Sequence, residues 1–217
     1  MAECGELVES GSDVAEDMPR VVSALAGILE RVAERNDAAT AAAELSAVAP
    51  APASAFRATT KPGISVRAYM ARIARFAGCS PACYVVAYVY LDRLLRRGRR
   101  LALAVDSYSV HRLLITAVLA AVKFMDDICY NNAYFAKVGG ISLVEMNYLE
   151  VDFLFGVGFD LNVSPETFAD YCAVLQSELL CAEAPPPPPP PPLRLQYCCL
   201  SDDDAGAGCS AQQQLAA

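Results

Sequence analysis

The chain has 217 residues, 55% of them hydrophobic, a length that suits one globular domain with flanking segments rather than two full domains. Every long apolar run contains a charged residue, and the acidic N-terminus lacks the basic region of a secretory signal, so we expect neither a membrane span nor export. The net charge of −8 comes from the ends, because residues 1–60 and 162–217 each carry −6 whereas residues 61–161 carry +4.

Nine cysteines and a single histidine argue against a metal site. The cysteines are scattered, and the CxxxC at Cys79 and Cys83 has no second Cys or His pair with which to bind zinc. We therefore expect reduced thiols, several of them in the core, in a nuclear or cytoplasmic protein.

The N-terminal part predicts one helix between two unstructured segments. Residues 1–16 have the composition of a disordered terminus. Residues 17–36 place Leu25, Ile28, Leu29 and Val32 at helical spacing, and we expect this stripe to pack on the rest of the same chain. Residues 37–61 are rich in Ala and Pro and are expected to form a linker.

The middle of the chain, residues 62–180, predicts successive helices without an alternating strand pattern, and hence an all-α fold. Ser and Gly residues at the boundaries supply N-caps and C-caps. The expected helices cover 65–77, a segment starting at Ser80–Pro81, a segment from Asp106 or Ser107 to Asp127, the stretch NAYFAKV, a segment from the capping box at Ser142 to the glycines of FGVGF, and a segment from Ser164–Pro165 to about 180.

The C-terminal residues 181–217 contain an octaproline, Pro185 to Pro192. Such a run forms polyproline II, which serves as a stiff spacer or as a ligand for proline-binding domains. The rest of this tail lacks periodicity and is expected to be disordered.

Two charged residues interrupt apolar helix faces. The helix ending in AAVKFMDD is apolar on all sides, as expected of a buried central helix, yet it contains Lys123. The helix beginning at Ser142 has Glu150 within its apolar stripe, between Met146 and Leu154. The pair suggests either an internal Lys–Glu bridge that fixes helix register or two charges beside an apolar surface that binds a partner.

Three stretches, YVVAYVYLDRLL, LLITAVLAAVKFMDD and MNYLEVDFLFGVGFDLNVSPETF, resemble in order and spacing the second, third and fifth helices of a cyclin box. More narrowly, HRLLITAVLAAVKFMDD followed by YNNAYFAKVGGIS is similar to the plant P-type (U-type) cyclins, relatives of the phosphate-signalling cyclins of fungi. The resemblance covers residues 20–35 and 62–180. It implies a single cyclin box with a five-helix core, an additional N-terminal helix and one following helix.

The resemblance also implies a regulatory subunit that binds and activates a cyclin-dependent protein kinase, in cell division or in nutrient (phosphate)-linked signalling. In that family a lysine on the third helix and a glutamate on the fifth bind the C helix of the kinase, and the matching positions are Lys123 and Glu150. The matching apolar positions of the kinase-facing surface are Phe124, Leu154, Phe159 and Leu161. Mitotic cyclins carry a Trp in a substrate-docking patch. This chain contains no Trp, so we do not expect it to recruit substrates through such a patch.

An alternative from another class is a cyclin-fold transcription or nucleic-acid adaptor. Five arginines between Arg93 and Arg100 and the net positive middle favour it. The same arginines are also expected of a solvated helix end, where cations complement the helix dipole, or of a contact with a phosphate or acidic partner. No aromatic residues are interleaved with them, so we expect the kinase rather than nucleic acid as partner.

No pattern in the sequence supports catalysis. His111 has no nucleophile in a triad-like context, and no Gly-rich phosphate loop occurs. We therefore expect no enzymatic activity, no cofactor, no bound metal and no small-molecule substrate.

Overall fold

A computed structural model describes residues 19–44, 54–98, 103–126 and 131–183 of the chain. Within these ranges the protein is all-α, as predicted, with seven helices and no strand. The expected disordered N-terminus and the octaproline lie outside the described residues. The helices are α1 (Arg20–Glu44), α2 (Val66–Ala77), α3 (Pro81–Gly98), α4 (Val110–Met125), α5 (Asn132–Gly139), α6 (Leu143–Gly156) and α7 (Pro165–Glu183).

The helix boundaries follow the capping residues of the sequence. Ser65 accepts a hydrogen bond from the Ala68 amide at the start of α2, and Gly78 ends that helix in the left-handed conformation. Ser142 likewise accepts from the Glu145 amide at the start of α6. Side-chain oxygens at these positions satisfy amides that have no partner within the helix.

The start of α4 and the end of α1 differ from the predictions. Asp106 caps a tight turn, accepting from the amides of Tyr108 and Ser109 at 2.9 Å each, so that α4 begins only at Val110. The helix predicted over 17–36 begins at Arg20 and continues to Glu44, because the Ala-rich part of the expected linker has high helix propensity.

Helix α4 is the central helix of the fold and packs against α2, α3, α5 and α6. Its residues from Val110 to Val122 are buried, with the exception of the half-buried Arg112. The first helix packs on this bundle through Leu25 and Leu29, which are fully or almost fully buried, so its predicted packing within the chain is confirmed. Only the last turn of α4 reaches the surface, and this turn carries Lys123.

None of the helices in the described residues combines the length and the apolar character that crossing a bilayer requires.

Candidate functional site

The structure brings Lys123 and Glu150 into direct contact. The Nζ atom of Lys123 lies 2.6 Å from Oε1 of Glu150, joining the end of α4 to the middle of α6. The lysine side chain is 34% exposed and the glutamate side chain 15% exposed. The pair therefore lies at the edge of the core, where water reaches the ammonium group more readily than the carboxylate.

The amide of Asn132, at the start of α5, completes this cluster. Its Nδ2 atom donates to Oε2 of Glu150 and to Oδ1 of Asn147, at 2.7 Å in both cases. Both carboxylate oxygens of Glu150 are thus engaged, which fixes the orientation of the carboxylate. An ammonium group has three donors, so Lys123 retains the capacity to donate to a carbonyl group of a partner. Sequence reasoning missed Asn132, because only the tertiary fold brings α5 to α6.

The apolar residues predicted for the site differ in their exposure. Phe124 is 47% exposed and Phe159 59% exposed, so both present large apolar surfaces to solvent. Leu154 and Leu161 are half-buried, and Leu161 packs against the core. The four residues lie on α4, on α6 and on the segment that follows α6.

A further apolar surface on α6 was not predicted. Val144, Tyr148, Val151 and Phe155 recur at every helical turn on the side opposite the buried Met146 and Phe153, and all four are exposed. The rings of Phe155 and Phe159 meet edge to face, with centroids 5.1 Å apart. Exposed apolar residues clustered in this way mark surfaces that bind other proteins. The regular spacing of these four residues in the sequence was the signal that could have identified them.

A second ion pair joins α4 to α6. Nε and Nη2 of Arg112 lie 2.6 Å and 2.5 Å from Oε1 of Glu145. Glu145 was predicted to form a reciprocal capping box with Ser142, but its carboxylate binds Arg112, and only the Ser142 half of the box is observed. The same two helices therefore carry two charge pairs.

His111 occupies a structural position at the start of α4. Its Nε2 atom donates to the carbonyl oxygen of Ile64 at 2.9 Å, and its ring meets Tyr69 edge to face. Burial lowers the pKa of His111 below its usual value, so that the ring is neutral near pH 7. In the described part of the chain, no group of three or more His, Cys, Asp or Glu residues is arranged to bind a metal ion.

Comparisons with known proteins agree with the fold. The family model for cyclins matches residues 19–161. The chain is 68% identical over 173 residues to Cyclin-P4-1 of Oryza sativa subsp. japonica, with 80% of each chain covered. It is 50% identical over 176 residues to Cyclin-U4-2 of Arabidopsis thaliana, with 81% of this chain and 78% of the relative covered. This all-α chain therefore belongs to the cyclin family, with plant P-type and U-type cyclins among its relatives.

Proposed function

We propose that this cyclin binds and activates a cyclin-dependent protein kinase through the surface around Lys123 and Glu150. The regulatory role of a cyclin follows from the family, and the kinase contact is our proposal. We further propose that it acts in the nucleus or cytoplasm, in cell division or in nutrient-linked signalling.

One observation carries the proposal. The Lys123–Glu150 pair lies at the end of an otherwise buried helix, where the exposed Phe124 follows Lys123 directly and the exposed Val151 follows Glu150. A desolvated apolar centre supplies most of the free energy of binding at a protein interface, and charges beside it set the orientation of the partner. In our proposal the pair orients a kinase helix that lies across these apolar residues.

The internal ion pair prepares the site rather than competing with binding. Glu150 is fixed by both Lys123 and Asn132, so the ammonium group is held in place before a partner arrives. Lys123 then donates to carbonyl groups at the end of the kinase C helix, where the helix dipole is negative. A site fixed in advance loses less side-chain entropy on binding.

Activation in this scheme requires no chemistry from the cyclin. The kinase alternates between a conformation in which its C-helix glutamate reaches the catalytic lysine and one in which it does not. The cyclin binds the first conformation more tightly and so increases its population. Phosphoryl transfer remains a reaction of the kinase alone.

The nucleic-acid alternative receives less support from the arginines that suggested it. Arg96 pairs with Asp92 at 2.8 Å, and Arg97 pairs with Asp160 at 3.2 Å. Arg93 donates to backbone carbonyls within the chain. Arg99 and Arg100 lie outside the described residues. Because the described arginines of this segment contact groups of the same chain, the kinase remains the partner that we propose.

A titration tests the proposed function. The purified cyclin is titrated with the catalytic subunit of a cyclin-dependent kinase, and binding is measured by calorimetry. Kinase activity is measured by phosphorylation of a peptide substrate. We expect a one-to-one complex with increased kinase activity, and no retention of the cyclin on duplex DNA at about 150 mM salt. Retention on DNA without any kinase complex would contradict the proposal and favour the adaptor.

A further inference from the structure

The segment that follows α6 presents Phe159 in an unusual conformation. Gly158 has a φ angle of 65° and Phe159 one of 56°, so two successive residues are left-handed. This region is unfavourable for a residue with a Cβ atom. The Phe159 ring is also mostly exposed, so burial in the core does not compensate for the backbone conformation. Other contacts must therefore stabilise this turn.

Those contacts come from α3. Nη1 and Nη2 of Arg93 donate to the carbonyl oxygens of Asp160 and Asn162 at 2.7 Å and 2.8 Å. The hydroxyl of Tyr90 donates to the carbonyl of Leu161 at 2.7 Å. Two side chains one helical turn apart thus bind three consecutive carbonyl groups directly after Phe159.

Two glycines lie where this turn meets α3. A Cβ atom at Gly156 would lie 2.4 Å from Cδ1 of Leu94, and one at Gly158 would lie 2.4 Å from Nη1 of Arg97. A larger residue at either position would therefore displace these α3 side chains, and the positive φ angle of Gly158 also favours glycine. Arg97 adds a contact with the Asp160 carboxylate.

The planar guanidinium group suits this task better than an ammonium group. Its rigid fork directs two N–H donors at two carbonyls that are two residues apart. The Arg93 side chain is 21% exposed, whereas Arg96 on the same helix is 73% exposed and contacts only Asp92 among the ion pairs described. Arg93 is thus committed to the turn, and Arg96 provides a matched control.

We propose that Arg93 and Tyr90 are positioning residues for partner binding: they fix the turn at residues 157–162 so that Phe159 projects from the surface beside Phe155. The part of this inference that concerns the kinase rests on the proposed function. The positioning of Phe159 can be measured in the absence of any partner.

The partner-free test uses the absence of tryptophan from the chain. The variant Phe159→Trp introduces a single tryptophan, whose fluorescence anisotropy reports the mobility of the side chain at this turn. We expect Arg93→Ala to lower the anisotropy, Arg93→Lys to restore it incompletely, and Arg96→Ala to leave it unchanged. An anisotropy that is equal in all four proteins would overturn the positioning role.

The second test is a double-mutant cycle in kinase binding. In the unaltered background, Arg93→Ala is expected to weaken binding about tenfold. When Phe159 is already alanine, the same substitution should weaken binding less than twofold further, because Arg93 acts through the Phe159 ring. Equal effects in both backgrounds would contradict the inference.

Should Arg93→Ala fail to fold, the milder variant Tyr90→Phe, which removes only the hydroxyl, replaces it in the cycle. A several-fold loss of affinity is then expected. If the unaltered cyclin does not bind the kinase, the proposed function and the kinase part of this inference fail, and the anisotropy decides the positioning alone.

Discussion

The two ion pairs between α4 and α6 have similar chemistry but different surroundings. The Arg112–Glu145 pair, with side chains 22% and 32% exposed, lies near the buried Tyr69 of α2, in the part of α4 that is otherwise buried. The Lys123–Glu150 pair is similarly exposed, but Lys123 belongs to the exposed last turn of α4, directly before the exposed Phe124. Charge, distance and exposure are thus alike in the two pairs, and it is the surroundings of their α4 members that differ.

The two pairs therefore offer a way to separate stability from recognition. Arg112 is flanked on α4 by buried residues, so its loss leaves Glu145 without its cation at the edge of the core. Lys123 instead directly precedes Phe124 and Met125, which are exposed among the described residues. We therefore expect variants at the first pair to change the free energy of unfolding and variants at the second to change affinity.

The largest expected effect is that of Glu150→Ala on kinase affinity. Removing one member of a charge pair that becomes desolvated in an interface costs about 2–5 kcal/mol, so calorimetry should show a loss of more than tenfold, since about 1.4 kcal/mol is one decade. The melting temperature should change little, because partly exposed pairs contribute about 0–1 kcal/mol. Asp152→Ala, an exposed acid on the same helix, is the control. A lower melting temperature with full affinity would mean that the pair is structural.

The next largest effect is that of Arg112→Ala on stability. The variant removes both contacts of Arg112 with the Glu145 carboxylate, a partly exposed ion pair that contributes about 0–1 kcal/mol. Thermal unfolding should therefore shift down by at most about 2–4 °C, while the affinity for the kinase remains that of the unaltered protein. A tenfold loss of affinity at unchanged stability would show that both pairs belong to the binding surface.

A smaller effect is expected from pH. Burial lowers the pKa of His111 in the folded protein, so below about pH 6.5 the unfolded chain takes up a proton that the folded chain resists. Stability is complete above this pH and declines as the pH falls further. Urea midpoints between about pH 7 and 5.5 should show the decline, and His111→Gln should abolish it, because this is the only histidine in the chain. Kinase affinity should not follow this decline in stability, because His111 lies at the start of α4 and Lys123 lies at its end. An unchanged pH dependence in His111→Gln would contradict this assignment.

The smallest effect is expected from removing the tail. Truncation after Glu183 leaves all seven described helices in place and removes the octaproline and a sequence poor in periodic apolar residues. Both the melting temperature and the kinase affinity should remain unchanged. A loss of affinity upon truncation would place part of the binding surface in the C-terminal tail.

Much of the fold followed from local features of the sequence. Ser65 and Gly78 predicted the ends of α2, and Pro81 predicted the first residue of α3, because these signals depend on residues close in the chain. The start of α4 was predicted too early, because Asp106 caps a turn before the helix rather than the helix itself. The alanines after residue 36 have high helix propensity and extend α1 to Glu44. Because residues 37–61 are rich in Ala and Pro, their composition predicted a linker instead.

The site could be predicted only in part, for a physical reason. Lys123 and Glu150 each break an apolar pattern within one helix, and such a break is visible in the sequence. The contacts of Asn132 with Glu150 and of Arg93 with the carbonyls after Phe159 join residues distant in sequence, and nothing in either local pattern indicates the partner. Contacts between elements require the packed structure.

The most direct test of the central claim is a comparison of two charge exchanges. The double variant Lys123→Glu/Glu150→Lys keeps an ion pair in place. Oδ1 of Asn132 is a buried acceptor without a hydrogen-bond partner among the described residues. After rotation of the amide, this oxygen can accept a hydrogen bond from the new ammonium group at position 150. The matched double variant Arg112→Glu/Glu145→Arg exchanges the other pair. Melting temperature and kinase affinity are measured for both. We predict that the first exchange keeps its stability within a few degrees and loses more than tenfold in affinity, whereas the second retains its affinity. Full kinase affinity in the Lys123→Glu/Glu150→Lys variant would contradict the account.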